Sequence, residues 1–448
     1  MKRLYISDVI SNIEEGKEVE ILGWIKSKRD SGSIIFFDVT DSSGNIQVIV
    51  DKDKIPKSMF SSLKKLPVES SVKITGKIKL KSKNVKEIKA TDFKVIGLAK
   101  LNIFPNPRRD FNIFDPKYAD YVLKNRHLYL RNEKMKAVFK IKNNLLFEIH
   151  KWFNKNGFVF VDAPVLTELL LYDDKSAFKL DYDVSKKPKQ EVFLSQCNMF
   201  QLEAAIHAFE KVYNLSPSFR AEHSKTNRHL REYWHLKAEV AWANLNDLLK
   251  ISERMLYNIT KNVAEKSEDE LKLLNQKIDL DNIKPPYKKI TYDEAVEILH
   301  SKKINFEWGK SLGQDEEKAL TKEFGEKLLF VKGIPCSAEA FPFSRDKKNP
   351  QITRTCDLIS PYGFGEILGT AEKISNKKEL LERMSEKGKN TPEQMKRYKW
   401  YIDLREYGCV PHGGIGMGVE RLLRFLLKLP HVRDVVSFPR IYGRYPNP

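Results

Sequence analysis

Between Ser218 and Val240 the chain sets out two alternating segments joined by a cationic loop, and no other feature limits the fold as strongly. In Ser218-Phe219-Arg220-Ala221-Glu222 and in Tyr233 to Val240, polar and apolar residues alternate with period two, the repeat of a strand. Ser218, Arg220, Glu222, Tyr233, His235, Lys237 and Glu239 fall on one face. Phe219, Ala221, Trp234, Leu236, Ala238 and Val240 fall on the other. An antiparallel pair with one apolar and one charged face is expected, joined by a loop, His223 to Arg231, that carries Lys225, Arg228 and Arg231. Such a face suits a polyphosphate, because guanidinium offers planar bidentate donors to phosphate oxygens. A solvent-facing pair whose charges neutralise one another is the plainer alternative.

The 448 residues exceed what one hydrophobic core normally holds, so more than one domain is expected. Short alternating segments run over 18–28, 33–40, 45–51, 70–80 and 85–96, separated by turns such as Asp41-Ser42-Ser43-Gly44. Five short strands in under 100 residues suit a small barrel, of which the OB-fold is the commonest nucleic-acid-binding form; an ordinary small β-domain is the alternative. Phe104-Pro105-Asn106-Pro107-Arg108-Arg109 then reads as a linker. Beyond it Val138, Ile141, Leu145, Ile149 and Trp152/Phe153 recur at helical spacing, with Gly157 placed to end the helix. The expected organisation is a barrel over 1–103, a linker or hinge over 104–130 and a larger domain over 131–448.

The 79 Lys and Arg against 60 Asp and Glu leave a net charge of +19, which favours polyanionic partners, nucleic acid first among them. A lysine-rich solvated surface would give the same total. Cys197, Cys336, Cys356 and Cys409 make no CxxC or CxxxH spacing, so neither a zinc site nor a disulfide framework is indicated and a reducing cytosol is the expected home. No apolar run approaches the roughly 20 residues of a membrane span, and the start shows no signal peptide. A cytoplasmic protein without a membrane partner is expected. Near the end, Gly414-Ile415-Gly416-Met417-Gly418-Val419-Glu420-Arg421 leads into a helix, with glycines that let backbone approach a ligand or a neighbouring strand and Arg421 in the first turn.

Phe219-Arg220-Ala221-Glu222 with Arg228-His229-Leu230, followed by Gly416-x-Gly418-x-Glu420-Arg421-Leu422, resembles motifs 2 and 3 of the class II aminoacyl-tRNA synthetases. The segment Phe158 to Pro164 behind the long helix is similar to motif 1. The order and spacing agree, and the absence of phosphate-loop and dinucleotide fingerprints fits a class II fold. The likeness covers most of the chain, with the aspartyl/asparaginyl branch and its archaeal-type asparaginyl enzymes nearest. It implies an α+β protein with an N-terminal OB-fold barrel and a catalytic domain on an antiparallel sheet with flanking helices, acting as a homodimer through motif 1. It further implies ATP-dependent formation of an aminoacyl-adenylate and transfer to tRNA.

By the same resemblance Arg220 would hold the α-phosphate and the amino-acid carboxylate, Glu222 the adenine amino group, and Arg228 and His229 the terminal phosphates. Tyr233 would stack on adenine, with Arg421 on its other face or at the γ-phosphate, and Arg220 and Arg421 would be the catalytic pair. Asp357 and Glu366 fall where the family holds Mg²⁺, a hard ion that takes carboxylate and phosphate oxygens. In the barrel, Arg29, Phe36 and Gln47 match the anticodon-binding pattern, with Phe36 as a stacking platform and Gln47 reading the middle uridine of an Asn- or Asp-type anticodon. On its own, an aromatic such as Phe36 in a strand would be core.

The amino-acid pocket, expected to comprise Ser195, Met199, Lys237, Lys373 and Gly413, departs from the family pattern. Met199 stands for a substrate-contacting glutamine, Lys237 for a glutamate, Lys373 for the side-chain-binding arginine and Gly413 for serine or alanine. Lysine lacks the bidentate fork of arginine. Unpaired buried lysines are costly, so the changes together predict an acidic side chain, aspartate or a modified relative, with asparagine a poor substrate. A paralogue serving small-molecule biosynthesis and a non-catalytic RNA-binding protein are the other readings; pyrophosphate exchange separates the latter from an enzyme.

Overall fold

The computed structural model describes residues 4–82, 85–100, 111–181 and 191–444. The chain divides into two compact units, Met1–Phe111 and Asn112–Pro448.

In the first unit β1 (Glu18–Asp30), β2 (Ile34–Thr40), β3 (Asn45–Asp51), β4 (Ser71–Ser82) and β5 (Val85–Gly97) close into a barrel in the order β1-β2-β3-β5-β4. The five strands match the alternation of the sequence to within two residues at each end. The inward set, including Ile21, Ile35, Phe37, Val39, Val48, Val50 and Ile74, is fully buried, and each such side chain stabilises the barrel by roughly 1.5–3 kcal/mol. Between β3 and β4 the helix Lys57–Lys64 adds Phe60 and Leu63 to this core. With side chains alternating at every residue, burial of Phe37 turns Phe36 to the outer face.

The stretch 104–130 is not one linker. Residues 104–110 lie outside the described residues, while Asp115 caps a short helical turn at Pro116–Tyr118 and helices Ala119–Lys124 and Arg126–Tyr129 follow within the second unit. Arg126 is buried there and donates to the carbonyls of Val436 at 2.5 Å and Ser437 at 2.9 Å, tying this stretch to the C-terminal run.

The second unit contains β6 (Val159–Phe160), β7 (Leu166–Thr167), β8 (Lys179–Leu180), β9 (Val192–Leu194), β10 (Lys211–Phe219), β11 (Glu232–Ala241), β12 (Lys288–Thr291), β13 (Leu329–Lys332), β14 (Thr355–Ser360), β15 (Gly365–Lys373) and β16 (His412–Gly418). Eight of these form a sheet in the order β12-β13-β14-β15-β16-β11-β10-β6, antiparallel except at its two ends, and β7-β9-β8 make a small second sheet. The helix Glu133–Lys155 begins at Asn132, whose side chain accepts from Lys134 N, and the chain turns away at Gly157, where φ is +78°. It buries Val138, Ile141, Leu145, Ile149 and Phe153, the positions expected from the 3.6-residue repeat. A second long helix, Leu245–Lys266, starts from an Asn244/Asp247 capping box and packs on β15 and β16. It covers one face of the sheet and leaves the other open as a cleft. No helix among the described residues is long and apolar enough to cross a membrane.

Candidate active site

The cleft lies over β11, β16 and β15. Along β11 the inward side chains are Tyr233, His235, Lys237 and Glu239, while Leu236 and Ala238 are fully buried behind. Strand β10 ends at Phe219, short of the strand expected through Glu222: Arg220 N still donates in register to Arg231 O at 2.9 Å, but Ala221 N turns away to Ser176 O. Ser218 still reaches His235 Nδ1 at 3.0 Å. On β16 the inward positions are Gly414, Gly416 and Gly418. A Cβ at Gly414 would collide with the Glu239 carboxylate and one at Gly416 with Lys237 Nζ. The glycines of this strand make room for the charged side chains of β11.

Arg220 lies over the Tyr172 ring, 4.2 Å from its centroid, with Nε 3.4 Å from Tyr233 Oη. Glu222 is exposed, its Oε1 3.9 Å from Arg220 Nη1. Opposite, Arg421 donates through Nη1 to the main chain and carboxylate of Glu366, at 3.0 and 3.1 Å. The loop His223–Arg231 is held from outside: Arg231 N donates to Arg440 O, Val432 N to Asn227 O, and the His223 ring stacks on Tyr442 at 4.8 Å. From it Arg228 enters the cleft and pairs through Nη1 with Glu317. His229 is fixed by Ser224 at 2.9 Å and by Thr226. Burial, with Arg421 and Arg228 nearby, lowers His229 to about 4, so it is neutral at pH 7. His235 is likewise neutral, held well below its ordinary value by burial and by Lys237.

Four carboxylates face these cations: Asp357, Glu366, Glu339 and Glu317. Asp357 and Glu366 converge over Gly369, where a Cβ would stand 3.5 Å from Asp357 Oδ1 and 3.8 Å from Glu366 Oε1. Burial and then the charges of Glu366, Glu339 and Glu317 push Asp357 well above the carboxylate range. Against burial, Arg421 and then Arg228 hold Glu366 below its ordinary value, and a converging pair of carboxylate oxygens suits a hard divalent cation. Among the described residues no cluster of three or more His, Cys, Asp or Glu could hold a metal alone, so such an ion would also need ligand oxygens.

At the far end Lys373 is buried and Met199 Sδ lies 3.3 Å from its Nζ. The sequence expects two uncompensated lysines here, and the structure compensates one. Lys373 Nζ is 3.5 Å from Glu239 Oε1 and 4.0 Å from Glu203 Oε1, and rests 4.6 Å over the Phe343 ring. Glu203 is bound in turn by Arg405 at 2.6 Å, His412 at 3.2 Å and Tyr401 Oη at 2.8 Å. No carboxylate of the described residues lies within 4.0 Å of Lys237 Nζ, and Glu239 Oε2 is buried without a hydrogen-bond partner.

Two residues expected in the pocket lie outside it. Gly413 points the other way from Gly414, and a Cβ there would meet Leu248 on the covering helix at 2.6 Å. The Ser195 hydroxyl is buried against Asn198. Met199, Lys237 and Lys373 line the cleft with the expected nucleotide residues Arg220, Glu222, Arg228, His229, Tyr233, Glu366 and Arg421 and with Asp357. Tyr172, Glu239, Glu317 and Glu339 also reach the cleft or its walls; of these, sequence alternation singles out only Glu239, on β11.

In the barrel unit Arg29 pairs across the ladder with Phe36 and its guanidinium lies 4.5 Å over the ring. Gln47 stands on the same outer face and accepts from Lys81 Nζ at 3.0 Å. Phe36 is thus a half-exposed surface aromatic and not core.

A floor of antiparallel strands, arginines on both walls and a converging carboxylate pair can receive a polyphosphate without a glycine-rich phosphate loop. The model for tRNA synthetases class II (D, K and N) matches residues 119–442, and that for the OB-fold nucleic acid binding domain matches 19–96. The chain belongs to the class II aminoacyl-tRNA synthetases. It is 37% identical over 450 residues to the asparagine--tRNA ligase of Pyrococcus furiosus, covering 100% of both chains, and 38% identical to that of Thermococcus kodakarensis, covering 99% of both. The structure matches asparaginyl-tRNA synthetase from Pyrococcus horikoshii complexed with asparaginyl-adenylate at a TM-score of 0.91, with 36% identity and 99% of each chain covered. As a member of this family the chain is an aminoacyl-tRNA ligase: it uses ATP to activate an amino acid and transfers it to tRNA.

Proposed function

We propose that the amino acid is asparagine and that the barrel reads an asparagine-type anticodon. The observation that carries this reading is Glu239 Oε2, a buried acceptor without a partner at the amino-acid end of the cleft. A carboxamide supplies an N–H to that oxygen and offers its carbonyl to Lys373, whereas a carboxylate placed there faces Glu239 with like charge. The acidic side chain expected from the sequence counted Lys373 as unpaired, and its contacts with Glu239 and Glu203 remove that charge. Aspartate is the second reading, favoured by the unpaired Lys237.

Activation is an in-line attack of the amino-acid carboxylate on the α-phosphorus, for which the protein supplies position and charge. Arg220, held over Tyr172, neutralises charge on the α-phosphate; Glu222 takes the adenine amino group, Tyr233 and Arg421 flank the base, and Arg228 and His229 hold the terminal phosphates. Asp357 and Glu366 would hold Mg²⁺, which when bound neutralises phosphate charge. Arg29, Phe36 and Gln47 contact the anticodon. Exposed Phe147 on the motif 1 helix, with Val159 and Phe160 on the open edge strand β6, supports a homodimer through this face. The four free cysteines suit a cytoplasmic setting. Pyrophosphate exchange over the standard amino acids, followed by charging of total tRNA, tests the assignment: exchange with asparagine alone supports it, and exchange with aspartate in preference overturns it.

A further inference from the structure

Arg228 is fastened by one nitrogen only. Its Nη1 pairs with Glu317 Oε2, while Nε is buried and has no hydrogen-bond partner. Glu317 is the buried acid of an otherwise mostly polar helix, Gln314–Glu323, which lies outside every recognisable motif and packs against β14 and β15. The contact is built in. Gly365 has φ +85°, and a Cβ there would collide with Arg228 Nη1 and stand 2.8 Å from Glu317 Oε2. A guanidinium binds a phosphate side-on through Nε and Nη2, the edge that a carboxylate on Nη1 leaves free. A long side chain from a loop such as His223–Arg231 would otherwise lose rotamer freedom on binding.

We propose that Glu317 is a positioning residue for nucleotide selection: by holding Nη1 it presents the open edge of Arg228 to the terminal phosphates, so that the cleft prefers a nucleoside triphosphate over a monophosphate. This rests on the reading of the cleft as an ATP site. Glu317 does not touch the nucleotide, and it acts on nucleotide choice through the Arg228 it holds.

The test is calorimetric binding of ATP with Mg²⁺, and of AMP, to the full chain in wild type, Glu317→Gln, Glu317→Asp, Arg228→Ala and the double variant Glu317→Gln/Arg228→Ala. Glu317→Gln weakens ATP at least about tenfold, the scale of one lost charged contact, and leaves AMP within about twofold. Glu317→Asp recovers part of the loss, and the double variant binds ATP no more weakly than Arg228→Ala. Unchanged or tighter ATP binding in Glu317→Gln, equal loss of ATP and AMP, or additive effects in the double variant would overturn the proposal. If Glu317→Gln does not fold, Glu317→Asp with its Arg228→Ala double carries the same comparison. A wild-type chain that exchanges pyrophosphate while Glu317→Gln keeps its ATP affinity removes only the role of Glu317. A wild type that binds no ATP removes the function on which that role rests, and the role with it.

Discussion

Lys373 Nζ stands 3.5 Å from Glu239 Oε1, so the cation and the carboxylate at the amino-acid end of the cleft neutralise each other before any substrate enters. One oxygen of Glu239 is left over. A neutral side chain with a donor and an acceptor satisfies this pair at less cost than a charged one, because each unpaired buried group costs about 1–3 kcal/mol. Wild type is therefore expected to exchange pyrophosphate with asparagine faster than with aspartate, and Glu239→Gln to lose at least about tenfold with asparagine. Preference for aspartate in wild type, reversed by Lys237→Glu, would instead assign the side chain to Lys237.

Arg220 is held between Tyr172 and Tyr233, and in the proposed mechanism it neutralises charge on the α-phosphate. Arg220→Ala should lower pyrophosphate exchange at least about 10²-fold, roughly 2.7 kcal/mol, with an unchanged thermal midpoint. A folded variant that keeps most of its exchange rate would take Arg220 out of the mechanism.

Phe36 shows its ring to the outside of the barrel beneath Arg29, which leaves it able to stack on an unpaired base. Phe36→Ala should weaken binding of the cognate tRNA by about 1–3 kcal/mol and leave exchange untouched. Equal loss of both, measured on one preparation by filter binding and exchange, would make the ring structural.

Glu203 is a shared counter-charge for Arg405, His412 and Lys373. Burial alone would raise its carboxyl, but Arg405 and then His412 hold it at about 2, below its ordinary 4.5. His412 is raised to about 10 against burial by Cys409 and Glu203. A depressed acid gives stability that is present above 4.5 and lost as pH falls through about 2. A raised histidine gives stability that is complete below 6.5 and lost as pH rises through about 10. The thermal midpoint should therefore be highest between pH about 5 and 6.5 for this cluster, and Glu203→Gln should cost about 3–5 kcal/mol and flatten both limbs. A pH profile in Glu203→Gln that parallels wild type would detach the cluster from stability.

The faces of β11 are legible because two-residue periodicity is local: Tyr233, His235, Lys237 and Glu239 declare their side without reference to the rest of the chain. The meaning of Glu239 is not legible there, since its partner Lys373 arrives on β15 and the ion pairs that anchor Glu203 come from helix and strand residues far along the chain. Gly413 and Gly414 show a similar limit. A run of glycines carries no alternation, so only strand register decides which of them faces the cleft. Glu317 gives no signal at all, because an acid in a polar helix looks solvated until its burial against Arg228 is seen.

Strand β16 is the last of the sheet to be synthesised, yet it sits between β15 and β11. Until residues 412–418 leave the ribosome, the two strands that should flank the gap expose unpaired edges to each other and to any neighbouring chain. A chain cut short before residue 412 would leave two sticky edges where the cleft floor should be, and would also lack Arg421 and the contacts from Val432, Arg440 and Tyr442 that hold the loop His223–Arg231.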